Sequence, residues 1–131
     1  MKKKKTWVID DDNIYQIIVK KIMERSEMFS EISSFKNGKD AIDELYNSSE
    51  NIDAIPDIIL LDINMPIMDG WEFMDELGVI KPKFNADIVV YIVSSSIAIE
   101  DKNKSKSHEN ILGYLSKPVT LDDLILIASR D

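Results

Sequence analysis

The sequence predicts a doubly wound α/β domain in which five strands alternate with five helices around one parallel sheet. Three observations carry this expectation. Ile58-Ile59-Leu60-Leu61 and Ile88-Val89-Val90-Tyr91-Ile92-Val93 are unbroken apolar runs, which suits strands buried on both faces. Segments of helical periodicity stand between the strand-like runs, as with Leu121, Leu124, Ile125 and Ala128 at i, i+3, i+4 and i+7. No internal repeat and no linker interrupts the alternation, so the crossovers should be right-handed and helices should cover both faces.

The elements follow in order. Thr6–Ile9 is a short apolar run that ends in Asp10-Asp11-Asp12-Asn13. A helix follows at once, with Ile14, Ile17, Ile18 and Ile22 expected as its apolar stripe and Asp12 or Asn13 as its N-cap. Ser30–Phe35 reads as a second, poorer strand. Asn37-Gly38 turns the chain into a short helix marked by Ala41, Ile42 and Leu45. Pro56 opens a strand over 57–61 that runs into Asp62. Pro66 cannot continue a ladder, and Asp69-Gly70 signals a turn or helix start. Phe73, Met74 and Leu77 share one face of the next helix, which Lys81-Pro82-Lys83 ends. The strand over 87–93 runs into Ser94-Ser95-Ser96. A polar helix is expected over 97–110, then a strand over 111–115 ending in Ser116-Lys117-Pro118, then the last amphipathic helix.

Composition narrows the function classes. With 131 residues the chain is one ordinary domain, large enough to bury about two-thirds of the surface exposed when unfolded. Acids outnumber bases by 24 to 16, and four of the bases are Lys2–Lys5, so the remainder sets 24 acids against 12 bases. Such a body repels phosphate backbones, which argues against direct contact with nucleic acid. Cysteine is absent, so disulfides, thiolate catalysis and Cys-ligated metals are excluded. Trp7-Val8-Ile9 is far too short for a secretory core, and no run approaches the ~20 residues of a membrane span. A cytoplasmic location and no membrane partner are expected.

All carboxyl ends of a parallel sheet share one edge, where open α/β sheets place their chemistry. That edge gathers Asp10-Asp11-Asp12, Asp62, Ser94 and Lys117. Several close carboxylates either bind protons or recruit a cation, and oxygen ligands without His or Cys favour Mg²⁺. A lysine and a hydroxyl beside them can hold phosphoryl oxygens, and aspartate is a known nucleophile that forms aspartyl-phosphate. The composite reads as a Mg²⁺-dependent site that phosphorylates one aspartate.

Val8-Ile9-Asp10-Asp11, the run Leu60-Leu61-Asp62-Ile63-Asn64-Met65-Pro66-Ile67-Met68-Asp69-Gly70, Ile92-Val93-Ser94-Ser95 and Gly113-Tyr114-Leu115-Ser116-Lys117-Pro118 together resemble the receiver domain of two-component response regulators, in its stand-alone, chemotaxis-regulator-like form. The resemblance implies a flavodoxin-like fold with strand order 2-1-3-4-5. It implies Asp62 as phosphoacceptor and Ser94 and Lys117 as catalytic partners. Asp10, Asp11, Asp62 and the Asn64 backbone carbonyl would be metal ligands for Mg²⁺, with Mn²⁺ as a substitute. Ser94 and Tyr114 would be the switch pair. Serine stands where the family more often has threonine, and Asn64 and Ser96 occupy positions that tune dephosphorylation. The implied phosphodonor is a sensor histidine kinase or histidine phosphotransfer protein. Residues 1–131 would form a single receiver domain with a basic tail at 1–5 and no output domain, signalling through an output protein of unassigned identity. On this reading the protein is no enzyme beyond its own phosphorylation and dephosphorylation.

Two other readings compete. A haloacid-dehalogenase-like phosphatase would use Asp10 as nucleophile and Asp12 as acid–base, but leaves the 62–70 run unused. An FMN module would need small hydroxylic residues after the first strand, where three aspartates stand and would repel phosphate. His108, the sole histidine, is expected as a surface residue, and Trp7 as packing at the start of the sheet.

Overall fold

The computed structural model describes residues 3–83, 87–95, 103, 108 and 110–130. Its strands are β1 (Lys4–Ile9), β2 (Phe29–Phe35), β3 (Ile58–Leu61), β4 (Val89–Ser94) and β5 (Ile111–Ser116). The helices are α1 (Asn13–Ser26), α2 (Gly38–Asn47), α3 (Gly70–Ile80) and, at the end of the chain, α4 (Leu121–Ala128). The helix expected over 97–110 lies, but for residues 103, 108 and 110, outside the described residues, as does Ser96.

The strands make one parallel sheet in the order β2-β1-β3-β4-β5, as the resemblance implied. The central registers align Ile9 with Leu61 and Leu61 with Ile92, so Asp10 and Asp62 follow directly on paired neighbours. One apolar layer joins Trp7, Ile9, Ile59 and Leu61 to Leu45 of α2 and Phe73 and Leu77 of α3. The other joins Val8, Leu60 and Val93 to Val19 and Met23 of α1 and Leu124 and Ile127 of α4. Trp7 is buried with its ring 4.5 Å from that of Phe35.

Two helices face differently from expectation. Ile14, Ile17 and Ile18 of α1 are 70%, 57% and 51% exposed, and the buried residues are Gln16, Val19 and Met23. At 3.6 residues per turn these two sets lie on roughly opposite sides of the helix. Polar groups set the orientation. The Gln16 side-chain amide lies 3.1, 3.0 and 3.1 Å from the carbonyls of Val8, Asp10 and Phe35, tying α1 to the ends of β1 and β2. A buried amide must keep such partners, whereas surface isoleucines lose only modest transfer energy. In α4 the buried set is Leu124, Ile127 and Ala128, with Ile127 in place of the expected Ile125.

Candidate functional site

Four of the five strands, β1, β3, β4 and β5, deliver polar side chains to the carboxyl edge. Asp10 directly follows β1, where its amide donates to the Phe35 carbonyl at 2.9 Å. Its carboxylate is 1% exposed. Oδ1 accepts the Asp12 amide at 2.9 Å, and Oδ2 makes an ion pair with Lys117 Nζ at 2.7 Å. Asp62 directly follows β3, is 8% exposed, and takes the Ile63 amide on Oδ1 at 2.9 Å. Its own amide donates to the Ile9 carbonyl at 2.9 Å, which locks the two acid-bearing strand ends together. Asp11 is exposed at the rim. One ligand oxygen from each of Asp10, Asp11 and Asp62 lies within 4.8 Å of the others, a spacing one cation could bridge.

Ser94 is buried at the end of β4, and its carbonyl accepts the Lys117 amide at 3.0 Å. The Lys117–Pro118 peptide is cis. Five of the expected residues, Asp10, Asp11, Asp62, Ser94 and Lys117, thus gather at one edge. Asn64 stands two residues past Asp62 and is exposed. Tyr114 does not belong to this group: it sits within β5, paired with Ile92 and half-buried against the α2–α3 layer.

The electrostatics are dominated by buried acid. Burial foremost, then the Asp10 charge, pushes the Asp62 carboxyl up to about 6, against the pull of Lys117 and the Ile63 amide. Burial also raises Asp10, and Lys117 offsets part of that rise. Among the described residues three carboxylates face the Lys117 ammonium, an excess of negative charge that a divalent cation would neutralise. The all-oxygen donor set fits Mg²⁺.

Gly70, read from sequence as a turn or helix-start residue, begins α3 and also has a steric role. A Cβ on it would stand 2.6 Å from the Asp62 carbonyl oxygen and 2.9 Å from Ile63 Cα. Its amide donates to the Ile63 carbonyl at 2.8 Å, so the first turn of α3 rests directly on the acid's backbone. Asp69 caps that helix through a box with Glu72. Asp12 caps α1, Oδ1 accepting the Ile14 and Tyr15 amides at 3.0 and 3.1 Å. The phosphatase reading needs that same side chain as its acid–base.

Sequence reasoning missed Tyr15. Its half-buried ring lies under Lys117, with Nζ 4.4 Å from the centroid. Burial foremost, then the charges of Asp10 and Asp62, drives its phenol well above the ordinary tyrosine value. The one available signal was position, since Tyr15 falls in the first turn after the triple aspartate. A groove of about 300 Å³ runs from the site along α1, lined by Ile14, Tyr15, Ile18, Ile22, Lys117 and Pro118 among others. His108, expected at the surface, is half-buried, with its ring stacked 6.0 Å from Trp71 and Nε2 3.9 Å from the Asp75 carboxylate.

The family model of the response regulator receiver domain matches residues 7–129. A two-component response regulator of Cytophaga hutchinsonii shares the fold with a TM-score of 0.85 and 30% identity, over 98% of each chain. The chemotaxis protein CheY of Halobacterium salinarum is 30% identical over 115 residues, 88% of this chain and 85% of that protein. The chain spans only 25% of the length of the DNA-binding transcriptional regulator NtrC of Proteus hauseri, at 28% identity.

Proposed function

The chain belongs to the response regulator receiver domain family, and on that premise we propose that it acts as a receiver which accepts a phosphoryl group on Asp62. The observation that carries this reading is the meeting of Asp10, Asp11 and Asp62 within 4.8 Å, with Lys117 paired to Asp10 at 2.7 Å. The donor is a phosphohistidine on a sensor kinase or phosphotransfer protein. An Asp62 carboxylate oxygen attacks phosphorus, the phosphorus–nitrogen bond breaks, and the departing imidazole keeps the electron pair and takes a proton.

Asp10, Asp11, Asp62 and the Asn64 carbonyl would hold Mg²⁺, which when bound neutralises charge on the phosphoryl oxygens. Lys117 and the Ser94 hydroxyl bind those oxygens as they arrive on Asp62. Their shift toward the new charge, with Tyr114 turning inward, is the switch that an output protein reads. The protein catalyses only its own phosphorylation and dephosphorylation and works in the cytoplasm without binding nucleic acid. No helix among the described residues is long and apolar enough to cross a membrane.

The test is acid-quenched intact mass after incubation with acetyl phosphate. One phosphoryl adduct is expected with Mg²⁺, and none with chelator. Persistence of the adduct in Asp62→Ala would overturn the assignment.

A further inference from the structure

We propose that Tyr15 is a positioning residue whose aromatic face keeps the Lys117 ammonium over the acid pocket as the lysine moves from Asp10 to a phosphoryl group on Asp62. The inference rests on the reading of Asp62 as phosphoacceptor and adds a residue to that reaction.

Among the described residues the Lys117 ammonium meets Asp10 Oδ2 at 2.7 Å and the Tyr15 ring at 4.4 Å. The ring distance is well inside the range of cation–π attraction, and the site's burial strengthens it. The two holders differ in one respect that matters for phosphoryl transfer. A cation taken up by Asp10, Asp11 and Asp62 weakens the grip of Asp10 on the lysine. The tyrosine face is neutral, binds no such cation, and keeps its attraction throughout. It is also weak and non-directional enough to let the ammonium travel a short distance toward new oxygens.

The ring is fixed from below. The Tyr15 amide donates to Asp12 Oδ1 at 3.1 Å, so the third aspartate of the triple run anchors this residue. Gln16, next in the chain, binds the carbonyls that end β1 and β2. The ring packs against the α1–α4 layer. Its buried hydroxyl has no hydrogen-bond partner among the described residues, so phenylalanine there breaks no such bond. Tyr46, whose ring lies 5.8 Å from Lys83 Nζ far from the acids, supplies a control.

The test is the rate of phosphorylation by acetyl phosphate with Mg²⁺, read as acid-quenched intact mass, so that no protein donor is involved. Variants carry phenylalanine, leucine or pentafluorophenylalanine at position 15, the last being near the shape of phenylalanine with its ring quadrupole reversed. Tyr15→Phe should stay within about twofold of wild type, while the leucine and pentafluorophenylalanine proteins should be slower by about fivefold or more. Tyr46→Leu should be unchanged. Equal rates for phenylalanine and pentafluorophenylalanine would overturn the proposal even if Tyr15→Leu fails to fold. A fivefold loss in Tyr15→Phe would move the role to the hydroxyl and overturn it too. A wild-type protein that takes no phosphoryl group would instead sink the reading of Asp62, and this inference with it.

Discussion

The carbonyl oxygen of Asp62 lies 2.6 Å from where a Cβ of Gly70 would stand. Both groups that would meet are backbone, so neither can swing aside. Gly70→Ala should therefore lower stability by about 1–3 kcal/mol and slow phosphorylation, because any relaxation displaces Asp62. Urea unfolding and the acetyl phosphate rate check both effects. An alanine variant with wild-type values for both would contradict the close approach.

Asp62 is destabilising while it carries charge without a cation. Its carboxyl titrates near 6 in the folded protein against an ordinary value of 3.8. Above pH 6 the group is ionised in both folded and unfolded chains, and the penalty is fully present. Between pH 6 and 4 the folded state binds the proton first and the penalty fades. In chelator, Asp62→Asn should raise stability at pH 7.5 by on the order of 2 kcal/mol, with the gain gone near pH 4. Denaturation midpoints across that range measure it.

Ile67 carries a strained backbone. Its φ is 69°, a region a β-branched residue rarely enters, and its side chain is 77% exposed. Ile67→Asn should stabilise the fold by about 1 kcal/mol, since asparagine tolerates this conformation and little packing is lost. A lower thermal midpoint in the variant would show that the isoleucine makes contacts worth more than the strain.

The isoleucines on the outside of α1 border the site through the groove that reaches Lys117 and Pro118. On the reading of Asp62 as phosphoacceptor, this exposed apolar ridge beside the reactive centre is predicted to seat the protein donor. Ile18→Glu should slow transfer from a phosphohistidine protein by about tenfold while leaving the acetyl phosphate rate unchanged. Equal loss with both donors would point to damage at the site itself.

That ridge also marks where the sequence was hardest to read. The strands were legible because β3 and β4 are unbroken apolar runs, and their carboxyl ends then dictated which polar residues meet. Asp10, Asp62, Ser94 and Lys117 follow from that rule alone. Helix α1 defeated the same logic, because hydropathy scores Ile14, Ile17 and Ile18 above Gln16, Val19 and Met23. What turns the helix is one glutamine amide near three strand-end carbonyls, an interaction with no periodic signature. In α4, Ile125 and Ile127 are chemically equal, so hydropathy alone does not tell that Ile127 is the one buried. Gly70 was legible as a turn or helix start but not as a steric requirement, because the backbone it must clear is that of Asp62 and Ile63. Tyr15 was invisible because its partner, Lys117, is about a hundred residues away.

The central claim is that Asp62, and no neighbouring acid, takes the phosphoryl group. Borohydride reduces an acyl phosphate to the alcohol, converting a phosphorylated aspartate to homoserine. Peptide mass spectrometry after acetyl phosphate, Mg²⁺ and borohydride should find homoserine at position 62 and unmodified aspartate at 10, 11 and 12. Homoserine at position 10, or at none of these positions in a protein that still gains phosphoryl mass, would contradict the account.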